Sequence, residues 1–173
     1  MTGIAMIKTS KVKLVILLIC SLAFVIGGVF MYQGFSFRGA AILRSIIAIV
    51  TIAFFGIATL YASLKLFDGK PGFIFLEDGF VDNSSGISAG EVLWKDITSL
   101  RTSSINGQSF ISIAVADPQM YIDRQANILK RKAMTLNLRM YGSPIALSAN
   151  GLDISFNDLV SEIETRYAKF QSS

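Results

Sequence analysis

The chain contains no histidine. This excludes imidazole acid–base chemistry, histidine-containing triads and histidine metal ligands. Its single cysteine, Cys20, lies in an apolar run, so neither an intrachain disulfide nor a thiolate metal cluster is available. Charge is scarce: 16% of the 173 residues are charged, against about 25% in soluble domains. Acidic residues are missing from the first 67 positions, and all 12 lie at or after Asp68. Residues 1–64 carry Lys8, Lys11, Lys13, Arg38 and Arg44, a net +5. The remaining 109 residues carry 11 basic and 12 acidic groups, a net −1. The basic character belongs to the N-terminal third and is no argument for nucleic-acid binding.

Two long apolar runs are present. Residues 14–31 and 45–64 contain no charge, and each is long enough, at 1.5 Å per helical residue, to cross a hydrocarbon core about 30 Å thick. A soluble domain of this size has no core able to surround two such helices. A secretory signal is the rival reading of the first run, because three lysines precede it. The run exceeds a usual signal core, and no A-x-A-like site follows. Lys8, Lys11, Lys13, Lys65 and Lys70 lie outside the two runs, whereas Arg38 and Arg44 lie between them. This asymmetry predicts both termini in the cytoplasm and a short loop outside. Ala23 with Gly27, and Ala58 with Ala62, are small-residue pairs suited to close helix packing, within the hairpin or between copies.

Phe67-Asp68-Gly69-Lys70-Pro71-Gly72 marks a boundary, which predicts a helical hairpin over 1–66 and a second domain over 67–173. Short strand-like segments follow at 72–76, 80–82, 91–94, 97–102 and 109–115, and Ile111, Ile113 and Val115 share one face. Asn106-Gly107 signals a tight hairpin. Asp117-Pro118 opens a helix, in which Ile122, Ala126, Leu129, Ala133, Leu136 and Met140 form an apolar stripe ended by Gly142. Alternation of Met134, Leu136, Leu138 and Met140 competes as a strand signal. The stripe covers the longer window and predicts helix rather than strand over 119–141, continuous or interrupted. A strand at 144–147 and a last helix follow. That helix is capped by Ser155 and has Phe156, Leu159, Val160, Ile163, Tyr167 and Phe170 on one face.

The segments 72–115, with Val92-Leu93-Trp94-Lys95-Asp96-Ile97 and the closing helix 156–170, resemble a bacterial pleckstrin-homology-like domain. With the two runs, the 67–72 boundary, Asp82-Asn83-Ser84-Ser85-Gly86 and Met140-Tyr141-Gly142-Ser143-Pro144-Ile145, the whole chain is similar to a family of small two-span bacterial membrane proteins. The resemblance implies an α+β chain: an N-terminal transmembrane hairpin, then a small PH-like β-barrel or sheet domain with a C-terminal capping helix and an inserted amphipathic helix. It also implies a multi-pass protein of the bacterial inner membrane. Relatives that bind inositol phosphates use a basic cluster between the first two strands. Glu77 and Asp78 occupy that region here, so inositide binding does not carry over.

No catalytic constellation emerges, and no cofactor or metal is expected. Trp94 reads as a core residue. Arg124, Arg131, Lys132 and Arg139 fall on one side of the inserted helix, either as a solvated face or as a face for anionic lipid headgroups or another membrane protein. The expected function is a membrane-anchored, non-enzymatic binding or scaffolding module. The alternative is an accessory subunit held in a larger complex by its two spans, and an enzyme ranks third.

Overall fold

A computed structural model describes residues 6–34, 41–105 and 107–172. The chain divides into two compact units, residues 10–69 and the remainder.

The first unit is a pair of helices, α1 (Lys11–Tyr32) and α2 (Ala41–Phe67). Both expected apolar runs lie inside them, and both helices are long and apolar enough to cross a membrane. They pack through Leu14, Ser21 and Gly28 on α1 and Ala48 and Ala62 on α2, all buried. The spacings are multiples of seven residues, as in helices packed along a left-handed seam. A Cβ on Gly28 would lie 2.8 Å from an Ile52 side-chain carbon, so glycine sets the close approach. The Thr59 hydroxyl meets Ser21 Oγ at 2.9 Å, and the Phe24 and Phe55 rings stack with centroids 4.3 Å apart. Of the expected small-residue pairs, Ala62 is buried, whereas Ala23 and Gly27 face outward. Arg38 lies outside the described residues.

The second unit contains two antiparallel sheets. One has the order β1 (Met6–Ile7), β2 (Phe73–Phe75), β3 (Gly79–Asp82) and β4 (Gly90–Leu93). The other has the order β5 (Ile97–Ile105), β6 (Gln108–Val115) and β7 (Ile145–Leu147). They do not close into the expected barrel. A single 3-10 turn, Trp94–Asp96, links β4 to β5. The β5–β6 hairpin pairs Ile105 with Gln108, and Gly107 has φ 77°, a conformation glycine adopts without strain. Asn106, the other expected turn residue, lies outside the described residues.

The division differs from that expected at 66/67. Met6 pairs with Ile74 and Ile7 with Phe73, Thr9 bridges to Leu152, and the Asp153 N–H donates to Lys8 O at 2.9 Å. The strand before the first long helix therefore belongs to the sheet that resumes after the second. Glu77 and Asp78 consequently join the second and third strands, whereas the helical pair connects the first and second.

The core of this unit contains Phe73, Phe75, Phe80, Trp94, Ile111 and Ile113. Trp94 is 1% exposed, as expected of a core residue, and lies between the rings of Phe80 and Tyr167 at centroid distances of 5.3 and 6.2 Å. Gly79 passes so close to β4 that a Cβ would collide with the Val92 carbonyl. The last helix, α5 (Phe156–Gln171), covers the core with Leu159 and Ile163, and Tyr167 donates its hydroxyl to Ile97 O at 2.8 Å. Ser155 caps it by accepting from the Asp158 N–H at 3.2 Å while donating to Asp158 Oδ2 at 2.6 Å.

The helix expected over 119–141 is interrupted and forms two helices, α3 (Pro118–Asp123) and α4 (Ile128–Tyr141). Asp117 caps α3, accepting from the Met120 N–H at 3.0 Å. Asn127 begins α4 by accepting from the Leu129 N–H at 2.8 Å, and that second cap accompanies the break. Gly142, with φ 71°, ends α4 as expected.

Candidate functional site

Helices α3 and α4 lie in the crossover between β6 and β7. The break between them separates the four basic residues that a single helix would have kept together. Arg124 follows α3, and its guanidinium sits 4.0 Å from the centroid of the Tyr121 ring. It donates to the carbonyls of Ala89, at 3.2 Å, and Glu91. Tyr121 is itself buried. It donates its hydroxyl to Asp96 Oδ2 at 2.7 Å and accepts from the Leu93 N–H at 3.3 Å. Burial, reinforced by the bond to Asp96, pushes the Tyr121 phenol above its ordinary range, against the Leu93 hydrogen bond and the Arg124 charge. Arg124 is thus a surface clamp between the end of α3 and the start of β4.

Lys130 also turns inward. Its ammonium donates to Ser88 O at 3.3 Å. Nearby, the buried Asp82 carboxylate accepts from the Ser84 N–H at 2.9 Å, the Ser84 hydroxyl at 2.6 Å and the Ala89 N–H at 3.2 Å. Burial raises the Asp82 carboxyl above the ordinary range, opposed by these bonds and by the Lys130 charge. This acid organises the loop between β3 and β4.

Arg131, Lys132 and Arg139 are the three expected site residues that the structure brings together. They line an open groove of about 620 Å³ between α3 and α4, with Ile122, Ile128 and Leu136 as its apolar wall. Among the described residues, Arg131, Lys132 and Arg139 take part in no salt bridge. Asp123, the acid in the groove, accepts from Gln119 Nε2 at 2.8 Å. A cluster of this kind suits an anionic group carried on an apolar body.

The expected apolar stripe divides, with Ile122 buried in the core and its larger α4 members exposed. Met134 is 1% exposed and Leu138 packs against the core, whereas Leu129, Leu136 and Met140 are 72%, 55% and 59% exposed. The basic residues mark this face in the sequence, whereas Ile128 and Leu136, the apolar side of the groove, are not among the expected site residues. The alternation of Met134, Leu136, Leu138 and Met140 puts apolar residues on two opposite sides of α4, Met134 and Leu138 on one and Leu136 and Met140 on the other.

Among the described residues, no group of three or more His, Cys, Asp and Glu side chains is arranged to hold a metal ion. No family model, curated protein or solved structure matches the chain.

Proposed function

We propose that the chain is a membrane-anchored, non-enzymatic binding or scaffolding module of the bacterial inner membrane, with a PH-like domain on the cytoplasmic side. The observation that carries this reading is the pairing of β1 with β2. One strand precedes the two long apolar helices and the other follows them. The helical pair is thereby an insertion in a sheet, and its entry and exit belong to the same side of any membrane it crosses. Two spans satisfy that condition, whereas a single span would tear the sheet apart. The lysines outside the spans, at positions 8, 11, 13, 65 and 70, favour the cytoplasm as that side.

The PH-like reading is supported by sheets of four and three strands followed by a helix whose apolar face covers the core. The helical pair would then occupy the connection between the first two strands, where inositide-binding relatives place their basic cluster. That connection carries Lys8, Lys11, Lys13, Lys65 and Lys70 at its ends, and the α3–α4 groove is a separate basic surface of the chain.

Reporter fusions test the reading. A cytoplasm-active reporter after residue 173 should be active, and a periplasm-active reporter inserted after Tyr32 should be active as well. A periplasmic signal from the C-terminal fusion would overturn it. A second reading, an accessory subunit of a larger membrane complex, is favoured by the outward face of α1. There, Ala23 is exposed and a Cβ on Gly27 would meet no atom within 4 Å. Recovery of a stoichiometric membrane partner in mild detergent, lost in Gly27→Leu, would select that reading.

A further inference from the structure

Helix α4 has two apolar faces, and the core covers one. At 100° per residue, Leu129, Leu136 and Met140 lie within about 40° of one another, roughly opposite Met134 and Leu138. They form an exposed row about 17 Å long. Lys132 and Arg139 border that row, about 60–80° from its centre, whereas Arg131 lies about 160° away, beside Leu138. The helix carries four cations and no acid, and two of its features already have assigned places: Lys130 bonds inward to Ser88, and Met134 is in the core. The remaining surface is apolar with a cationic margin, the pattern of a helix lying in a membrane interface.

Charge and chain length identify the occupant. The two cations bordering the row call for an anionic surface. The unit bearing α4 is joined to α1 through residues 8–10 and to α2 through residues 68–72. Five residues extend at most about 18 Å. If α1 and α2 span a bilayer, lipid is present at high effective concentration at all times, whereas a soluble partner has to arrive by diffusion.

The geometry points to α4 as an interfacial helix that docks the domain on the anionic inner leaflet. Leu129, Leu136 and Met140 enter the boundary between headgroups and acyl chains, and Lys132 and Arg139 contact lipid phosphates. This inference rests on the membrane-anchored reading and adds the ligand and the face that binds it. The apolar row supplies contact that salt does not screen. The cations supply the preference for anionic lipid, with each worth a factor of about five near an anionic surface.

The test uses the full chain with Cys20→Ser, so that a single introduced cysteine carries an environment-sensitive fluorophore. One variant adds Leu136→Cys on α4, and the other adds Glu164→Cys on the exposed side of α5. Both are placed in nanodiscs of phosphatidylcholine mixed with phosphatidylglycerol, with and without nitroxide-labelled acyl chains. The expected result is a blue-shifted, nitroxide-quenched probe at position 136 and an unquenched probe at 164. Replacing Lys132 and Arg139 together by Gln should lower the ratio of docked to undocked chains about 25-fold and sharply reduce that quenching. A probe at 136 that stays in water in anionic discs overturns the inference. So does a probe covered in native membranes but exposed in pure-lipid discs, which would identify a protein partner. Release of the chain from native membranes by alkaline carbonate would instead overturn the anchored reading itself.

Discussion

Helices α4 and α5 belong to the same unit, have similar lengths and carry comparable apolar periodicities, yet they meet opposite fates. In α5 the stripe centred on Leu159 and Ile163 is buried, with the charged residues Glu162 and Glu164 outside. In α4 the stripe through Leu129, Leu136 and Met140 is exposed, and Met134 takes the core. Period alone selects a helix without selecting which of its faces is covered. Helix α5 has one apolar face and therefore one way to pack. Helix α4 has two, and the neighbouring groups decide between them: Lys130 reaches Ser88, and the break at Arg124 sets the direction from which α4 begins. The exposed row is left for something outside the unit.

The largest test of this difference is truncation of matched leucines. Leu159→Ala should destabilise the unit by about 2–5 kcal/mol, the usual cost of removing a buried leucine. Leu136→Ala should change stability by no more than about 0.5 kcal/mol, as expected for a surface position. Trp94 is the only tryptophan and lies in the core, so its fluorescence during denaturation of the detergent-solubilised chain reports this unit. Equal losses for the two variants would mean that α4 packs through its Leu129 stripe after all.

Much of the framework was legible in the sequence, and the reasons can be assigned residue by residue. The apolar runs within α1 and α2 stood out because no charge interrupts them. Ser155 and Asp158 marked the start of α5, and Gly142 marked the end of α4. The β5–β6 hairpin followed from alternation through Ile111, Ile113 and Val115. Two features were hidden. Strand β1 is two residues long, too short for any period, and its partner lies across the whole helical pair. The break in the inserted helix had only Asn127 to announce it, against an apolar stripe that ran uninterrupted through both halves. The candidate site suffered from that second error: four cations aligned on one imagined helix become three in a groove and one clamp at Arg124.

The next contrast separates the clamp from the groove. Arg124→Gln removes charge-assisted bonds to two carbonyls and the stacking on Tyr121, and should cost about 1.5–3 kcal/mol. Arg131→Gln should leave stability within about 0.5 kcal/mol. Chemical denaturation of both variants measures the difference, and an equal loss would return Arg131 to the internal scaffold.

A smaller contrast lies in the caps. Ser155→Ala should cost about 1 kcal/mol, because the side chain satisfies the Asp158 N–H and also holds the Asp158 carboxylate. Asn127→Ala should cost somewhat less, about 0.5–1 kcal/mol, since Asn127 makes the single cap bond to Leu129. Amide exchange at the first turn of each helix distinguishes local fraying from global loss. Faster exchange at the start of α5 than of α4 in the respective variants is expected.

The smallest effect is a pH dependence that joins α4 to the core. In the unfolded chain an aspartate titrates near 3.9, and burial places Asp82 above that in the folded unit. As pH rises through the unfolded value, the unfolded chain releases this proton first. The folded unit then binds more protons than the unfolded one, so the contribution of Asp82 to stability falls as pH rises and levels off above its folded value. Lys130, from the inward face of α4, opposes the shift. Lys130→Gln should therefore extend the decline to higher pH, whereas Asp82→Asn should remove this component at the cost of an acceptor for Ala89 N–H. Unfolding midpoints of the three chains in non-ionic detergent, followed by Trp94 fluorescence from acid to neutral pH, check the sign. If the stability difference between wild type and Asp82→Asn widens in favour of wild type as pH rises, the carboxylate is stabilised rather than strained by its surroundings, and the inward face of α4 does more to hold it ionised than its single cation accounts for.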